Sequence, residues 1–63
     1  MTFKELLKKE DCTGSRLARA IGVPPQTVNN WKHGKTVPNI ANSQKIAQAL
    51  GVPLETVAQC FVA

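Results

Sequence analysis

The chain has 63 residues, enough for one small domain near the lower size limit for folding without metals or disulfide staples. Four acids, one histidine and two separated cysteines give no paired carboxylates, no four-ligand metal set and no nucleophile with its base, which argues against an enzyme. The net charge is +4, and residues 12–54 carry Arg16, Arg19, Lys32, Lys35 and Lys45 with no acid among them, so the centre of the chain attracts a polyanion.

An apolar share of 43% with three aromatics, Phe3, Trp31 and Phe61, suits an all-helical core of Leu, Ile, Val and Ala. The first helix is expected to start at Thr2, because Thr2-Phe3-Lys4-Glu5 has the spacing of a capping box. Phe3, Leu6 and Leu7 then share one face, and Lys4, Lys8, Lys9 and Glu10 form the solvated one. Asp11-Cys12-Thr13-Gly14 breaks the pattern. A second helix begins between Thr13 and Ser15, with either hydroxyl as its cap, and turns Leu17, Ala18 and Ile21 inward.

Gly22 closes that helix, and a proline in the first turn of the next one has no N–H to lose. If Pro25 opens the third helix, about 100° per residue points Val28 and Trp31 inward and Gln26, Asn29, Asn30 and His33 outward, with Thr27 on the flank. Trp31 belongs to the core on this reading and is not a stacking platform. Gly34 stops the helix. Pro38 and Asn39 introduce a fourth, with Ile40, Ser43, Ile46, Ala47 and Leu50 on or near its inner face. The stretch from Ala20 to Val28 is then echoed from Ala49 to Val57, which predicts a second helix, turn and helix. Glu55 replaces Gln26 in the echo, so only the first copy suits a polyanion. The tail stays apolar, with Phe61 packing inward at the end of a fifth helix.

The outer face of the third helix is short, polar and uncharged. Amides there can hydrogen-bond base edges, while Lys32 and Lys35 lie within reach of phosphates. With that pattern in hand, the chain resembles the Cro/CI-type (Xre-like) helix-turn-helix family of phage and bacterial repressors. The matching residues are Leu17-Ala18, Ile21-Gly22-Val23, Val28, Trp31, Gly34-Lys35, Pro38, Ile46-Ala47 and Ala49-Leu50-Gly51-Val52. The resemblance implies a five-helix, lambda-repressor-like domain over residues 1–63, with helices 2 and 3 as the helix-turn-helix. It also implies sequence-specific binding of a double-stranded DNA operator, with residues 25–33 in the major groove.

On that reading Gln26, Thr27, Asn29 and Asn30 read bases. Ser15, Arg16, Lys32, His33, Lys35, Thr36 and Asn39 touch the backbone, with capping as the alternative role of Ser15 and of Asn39. A homodimer on half-sites one helical turn apart is expected, with Phe61 and Val62 as contacts. No cofactor, small-molecule substrate or membrane partner is expected.

Two departures from the family stand out. Lys32 occupies a place where relatives usually carry Glu, and either a swapped pair with Glu5 or Glu10 or a phosphate contact would employ it. Pro25 offers no polar group at the first reading position, which leaves Gln26 and Asn30 as the main readers. Cys12 and Cys60 are expected as reduced thiols in a cytoplasmic protein, although a bridge between them is conceivable. No membrane-spanning run or signal-peptide pattern is found. The rival function is a protein-binding adaptor or antitoxin-like module on the same fold, which would show no DNA affinity. RNA binding is disfavoured by the lack of exposed aromatics to stack bases.

Overall fold

Each helix starts and stops on chemistry carried within a few residues of its end. In the computed structural model, which describes residues 2–61, Thr2 opens α1 (Phe3–Lys9) with a complete capping box. Its hydroxyl accepts from the Glu5 N–H at 3.1 Å, and the Glu5 carboxylate accepts from the Thr2 N–H at 2.8 Å. The Thr2 N–H, and after it the Thr2 hydroxyl, hold the Glu5 carboxyl below its usual range, since a donor to the carboxylate favours the charged form. The helix ends through Asp11, whose φ of 52° lets the Cys12 N–H return to the Leu7 carbonyl at 2.9 Å. A side chain in that left-handed region costs about 1 kcal/mol.

Thr13, not Ser15, caps α2 (Gly14–Ile21): its hydroxyl accepts from the Arg16 N–H at 3.1 Å. The ends of α2 and α4 (Ile40–Leu50) are built alike. Gly22 and Gly51 take φ of 76° and 70°, and the N–H groups of Val23 and Val52 each reach back five residues, to Ala18 and Ala47, at 3.0 Å. Pro24 and Pro53 then cap α3 (Pro25–Lys32) and α5 (Leu54–Gln59), both with φ of −63°. Their carbonyls accept from Thr27 and Thr56 at 3.0 Å in each case. The expected echo is thus a structural repeat, down to Val28 and Val57, which are both fully buried.

All regular elements among the described residues are α-helices, in the order α1 to α5. The largest fully buried side chains are Leu6, Leu17, Val28, Ile46 and Val57, one from each helix, so the core is a single knot to which every element contributes. No polar or charged residue is buried among those described. The most extensive contact is between α2 and α3; α4 packs on α2 and α5, and α1 on α3. Trp31 is buried as expected and meets the Phe3 ring edge-on at 6.3 Å.

Phe61 lies beyond the end of α5 and is half-buried, with its ring 5.2 Å from Phe3. Val62 lies outside the described residues. Ile40 corrects the expectation of an inward side chain: it is 74% exposed. Its angular position agrees with Ala47, but the first turn of α4 runs past the edge of the core, where none of the described residues covers it. Both cysteines are free thiols. Cys12 donates to the Thr13 carbonyl and Cys60 to the Thr56 carbonyl, at 3.5 and 3.3 Å, and burial pushes the Cys60 thiol up. No helix among the described residues is long and apolar enough to cross a membrane.

Candidate nucleic-acid interface

Because Val28 and Trp31 are anchored in the core, α3 can rotate little, and its opposite face is fixed toward solvent. Gln26, Asn29 and His33 are exposed; Thr27 and Asn30 are half-buried on either side. The Gln26 side-chain Nε2 donates to Asn30 Oδ1 at 3.0 Å, an i, i+4 pair that lies along the exposed surface. The helix is closed by N–H groups of Gly34 and Lys35 returning to the carbonyls of Trp31 and Asn30, at 3.2 and 3.0 Å. Lys35 is therefore held directly beside the end of this amide face, and Thr36 follows it, also exposed.

Between the start of α2 and the flank of α3 runs a cleft of about 400 Å³ lined by Thr13, Gly14, Ser15, Pro25, Gln26, Asn29 and Lys32. The cap occupies the Arg16 N–H, but helix geometry provides no acceptor for the amides of Gly14 and Ser15. Lys32 lies across this end. A methyl built on Gly14 would stand 3.5 Å from its Cδ and 3.8 Å from its Nζ. The ammonium and the positive end of α2 therefore reinforce one another at the cleft, an arrangement that suits an anion. Asn39 is the cap of α4, its Oδ1 accepting from the Asn42 N–H at 2.7 Å, which leaves its amide Nδ2 free to donate outward.

Compared with models of known families, the chain matches the helix-turn-helix model over residues 3–57. It belongs to the Xre/Cro-CI-like helix-turn-helix family. No curated protein and no solved structure matches the chain. The match takes in the whole run from α1 to Val57, and α2 and α3 are the helix-turn-helix pair. The chain is thus a DNA-binding helix-turn-helix regulator, of a family that is not typically enzymatic.

Within this helix-turn-helix, four of the residues singled out from the sequence meet at the cleft: Ser15, Gln26, Asn29 and Lys32. Arg16 does not join them. It lines a shallow depression with Ser15, Arg19 and Ala20, and another beside Glu10 and Asp11, so it stands on the outer flank of α2. The swapped pair considered for Lys32, with Glu5 or Glu10, is not formed among the described residues: the Lys32 ammonium lies at Gly14, while the Glu5 carboxylate is engaged by Thr2 and Glu10 lies beside Arg16. Sequence reasoning missed Gly14. The signal was partial: Gly14 follows a capping hydroxyl in the first turn of α2, but a methyl there would still meet the Lys32 stem at ordinary contact distance, so nothing in the residue type alone announced the approach.

Proposed function

We propose that this protein is a sequence-specific double-stranded DNA-binding repressor that lays α3 in the major groove of its operator. One observation carries the reading: the exposed face of α3 is a patch of uncharged amides, Gln26, Asn29 and Asn30, flanked by Lys32 and Lys35. Charge at the margins draws and registers the duplex, while neutral amides at the centre can tell one base edge from another.

In this mechanism Gln26, Asn29 and Asn30 read bases, with Thr27 placed to touch a thymine methyl. One phosphate enters the cleft, held by the open amides of α2, the Ser15 hydroxyl and Lys32. Arg16 meets the same strand from the outer flank. Lys35, Thr36 and the free Nδ2 of Asn39 take phosphates past the other end of α3, with His33 between. The 63 residues act as one domain in the bacterial cytoplasm, and two copies occupy an inverted repeat with half-sites about 34 Å apart. Phe61, through its exposed part, and Val62 contribute to the contact between copies. Occupancy of the operator then blocks transcription.

Selection from a random duplex pool with purified protein, at near-physiological salt, tests this reading. Enrichment of an inverted repeat supports it. A single enriched half-site retains the reading helix but removes the homodimer. No enrichment above non-specific binding sinks the proposal in favour of a protein-binding module.

A further inference from the structure

We infer that the hydrogen bond from Gln26 to Asn30 sets the polarity with which α3 reads its site: Gln26 is held to recognise adenine, and Asn30 is left to donate to a neighbouring guanine or thymine. This rests on the operator-reading function proposed above. A free primary amide on a flexible stem can present either its oxygen or its nitrogen to a base and so discriminates poorly. Here one N–H of the Gln26 amide is committed to Asn30 Oδ1 at 3.0 Å, which fixes which end of the group is which. What remains on Gln26 is one N–H and the carbonyl oxygen, the donor and acceptor that match N7 and N6 of adenine in the major groove.

Asn30 is changed in the complementary way. One lone pair of its Oδ1 is occupied, and its Nδ2 still carries two donors. Those donors fit acceptor-bearing edges, the O6 and N7 of guanine or the O4 of thymine. Asn30 is also half-buried where Gln26 is exposed, and its main-chain carbonyl accepts from the Lys35 N–H at 3.0 Å, which ties down its backbone. The more constrained residue therefore orients the freer one. Asn30 is both a positioning residue for Gln26 and a reader in its own right, and its two roles are separable.

The test is site selection with the full chain as wild type, Gln26→Ala, Asn30→Ala and Asn30→Asp, with thermal midpoints confirming that each folds. Gln26→Ala identifies the base pair that Gln26 reads, by flattening a preference of about 5- to 150-fold there. That pair is expected to be adenine in the wild-type site. Asn30→Ala should weaken discrimination at the same pair by roughly two- to tenfold, the worth of one hydrogen bond, and erase the guanine or thymine preference beside it. Asn30→Asp keeps an acceptor for Gln26 and loses the donors, so adenine is retained while the neighbouring preference moves to cytosine, whose N4 donates.

Full discrimination at the Gln26 pair in Asn30→Ala, or a base other than adenine at that pair in the wild type, overturns the inference while leaving the operator reader intact. No enriched site for the wild-type protein at all is the separate failure of the underlying function.

Discussion

Replacing Lys32 by methionine removes a charge and keeps an unbranched stem of similar reach and similar helix propensity. The Lys32 ammonium lies against the amino end of α2, 3.8 Å from where a Gly14 methyl would stand. A unit charge and the half-charge of a helix end, about 4 Å apart, repel by roughly 0.5 kcal/mol in water and about 2 kcal/mol at an effective dielectric near 20. The half-buried position of Lys32 puts the cost toward the lower figure. Against it stands the last turn of α3, where a cation gains about 0.3–1 kcal/mol. A helical side chain leans toward its own amino end, however, so the ammonium is carried away from the terminal carbonyls of α3 and toward α2. The balance is a net cost of roughly 0.5 kcal/mol to the free protein.

Lys32→Met should therefore raise the thermal midpoint by roughly 2–4 °C, at about 4–8 °C per kcal/mol for a chain of this size. The gain should shrink at about 1 M salt, where the screening length is about 3 Å. Binding moves the other way. Methionine cannot neutralise a phosphate, so if one enters the cleft as proposed the slope of log affinity against log salt should fall by about 0.9 on any duplex. Circular dichroism melts and fluorescence anisotropy titrations over a salt series read the two effects independently. A midpoint that falls, or a rise that survives high salt, refutes the placement of the charge at α2. An unchanged salt slope refutes the pairing of Lys32 with a phosphate. Stabilisation together with weakened binding would identify Lys32 as a residue kept for its ligand and not for the fold.

Three further outcomes follow from the geometry. Asp11→Gly relieves the left-handed φ at the end of α1 and should stabilise by about 0.5–1 kcal/mol in urea titrations, with operator affinity unchanged. Val28→Ala and Val57→Ala delete equivalent, fully buried side chains and should each cost about 2–3 kcal/mol. That is a large share of the ~3–9 kcal/mol usual for this length. Measured where both remain folded, only Val28→Ala should weaken DNA binding; equal binding losses would show that the two halves of the repeat are not functionally distinct. The Glu5 carboxyl is held below its ordinary value of 4.5, so its contribution to stability is fully present above that value and lost as pH falls through the lower folded one. In Glu5→Gln the side-chain carbonyl still accepts from Thr2, so the fall in urea midpoint between about pH 6 and about pH 3 should be shallower than in the wild type.

What could be read from the sequence is what depends on near neighbours in the chain. The Thr2 to Glu5 box, the stop at Gly22, the proline start of α3 and the inward turn of Val28 and Trp31 each involve groups within a few residues, so local stereochemistry decides them. Ile40 shows where periodicity stops informing: the spacing gives the direction in which a side chain points but not whether another helix stands there. The same limit hid the location of the Lys32 ammonium, which lies against the start of a different helix. It also hid the Gln26 to Asn30 bond, since both amides had several partners open to them. The choice of Thr13 over Ser15 as cap turned on where α2 begins, a matter of one or two residues that packing decides.

The repeat within the chain divides what belongs to the fold from what belongs to the function. Residues 20–28 and 49–57 build the same joint, with left-handed glycine, proline cap and buried valine at the same places. The chemistry of the joint is thus sufficient to place one helix across another, and it has nothing to do with DNA. What differs lies on the solvent side. Glu55 stands where the first copy has Gln26, and a carboxylate facing phosphates is repelled. Phe61 stands where the first copy has Lys32. Instead of charging a cleft, it closes on Phe3 at 5.2 Å, and Phe3 in turn meets Trp31 of the reading helix. The second copy thus uses its equivalent position to hold the first one still. If α3 reads bases as proposed, this coupling through Phe3 is what keeps its amides in register with them, so both joints serve the site although only one faces it.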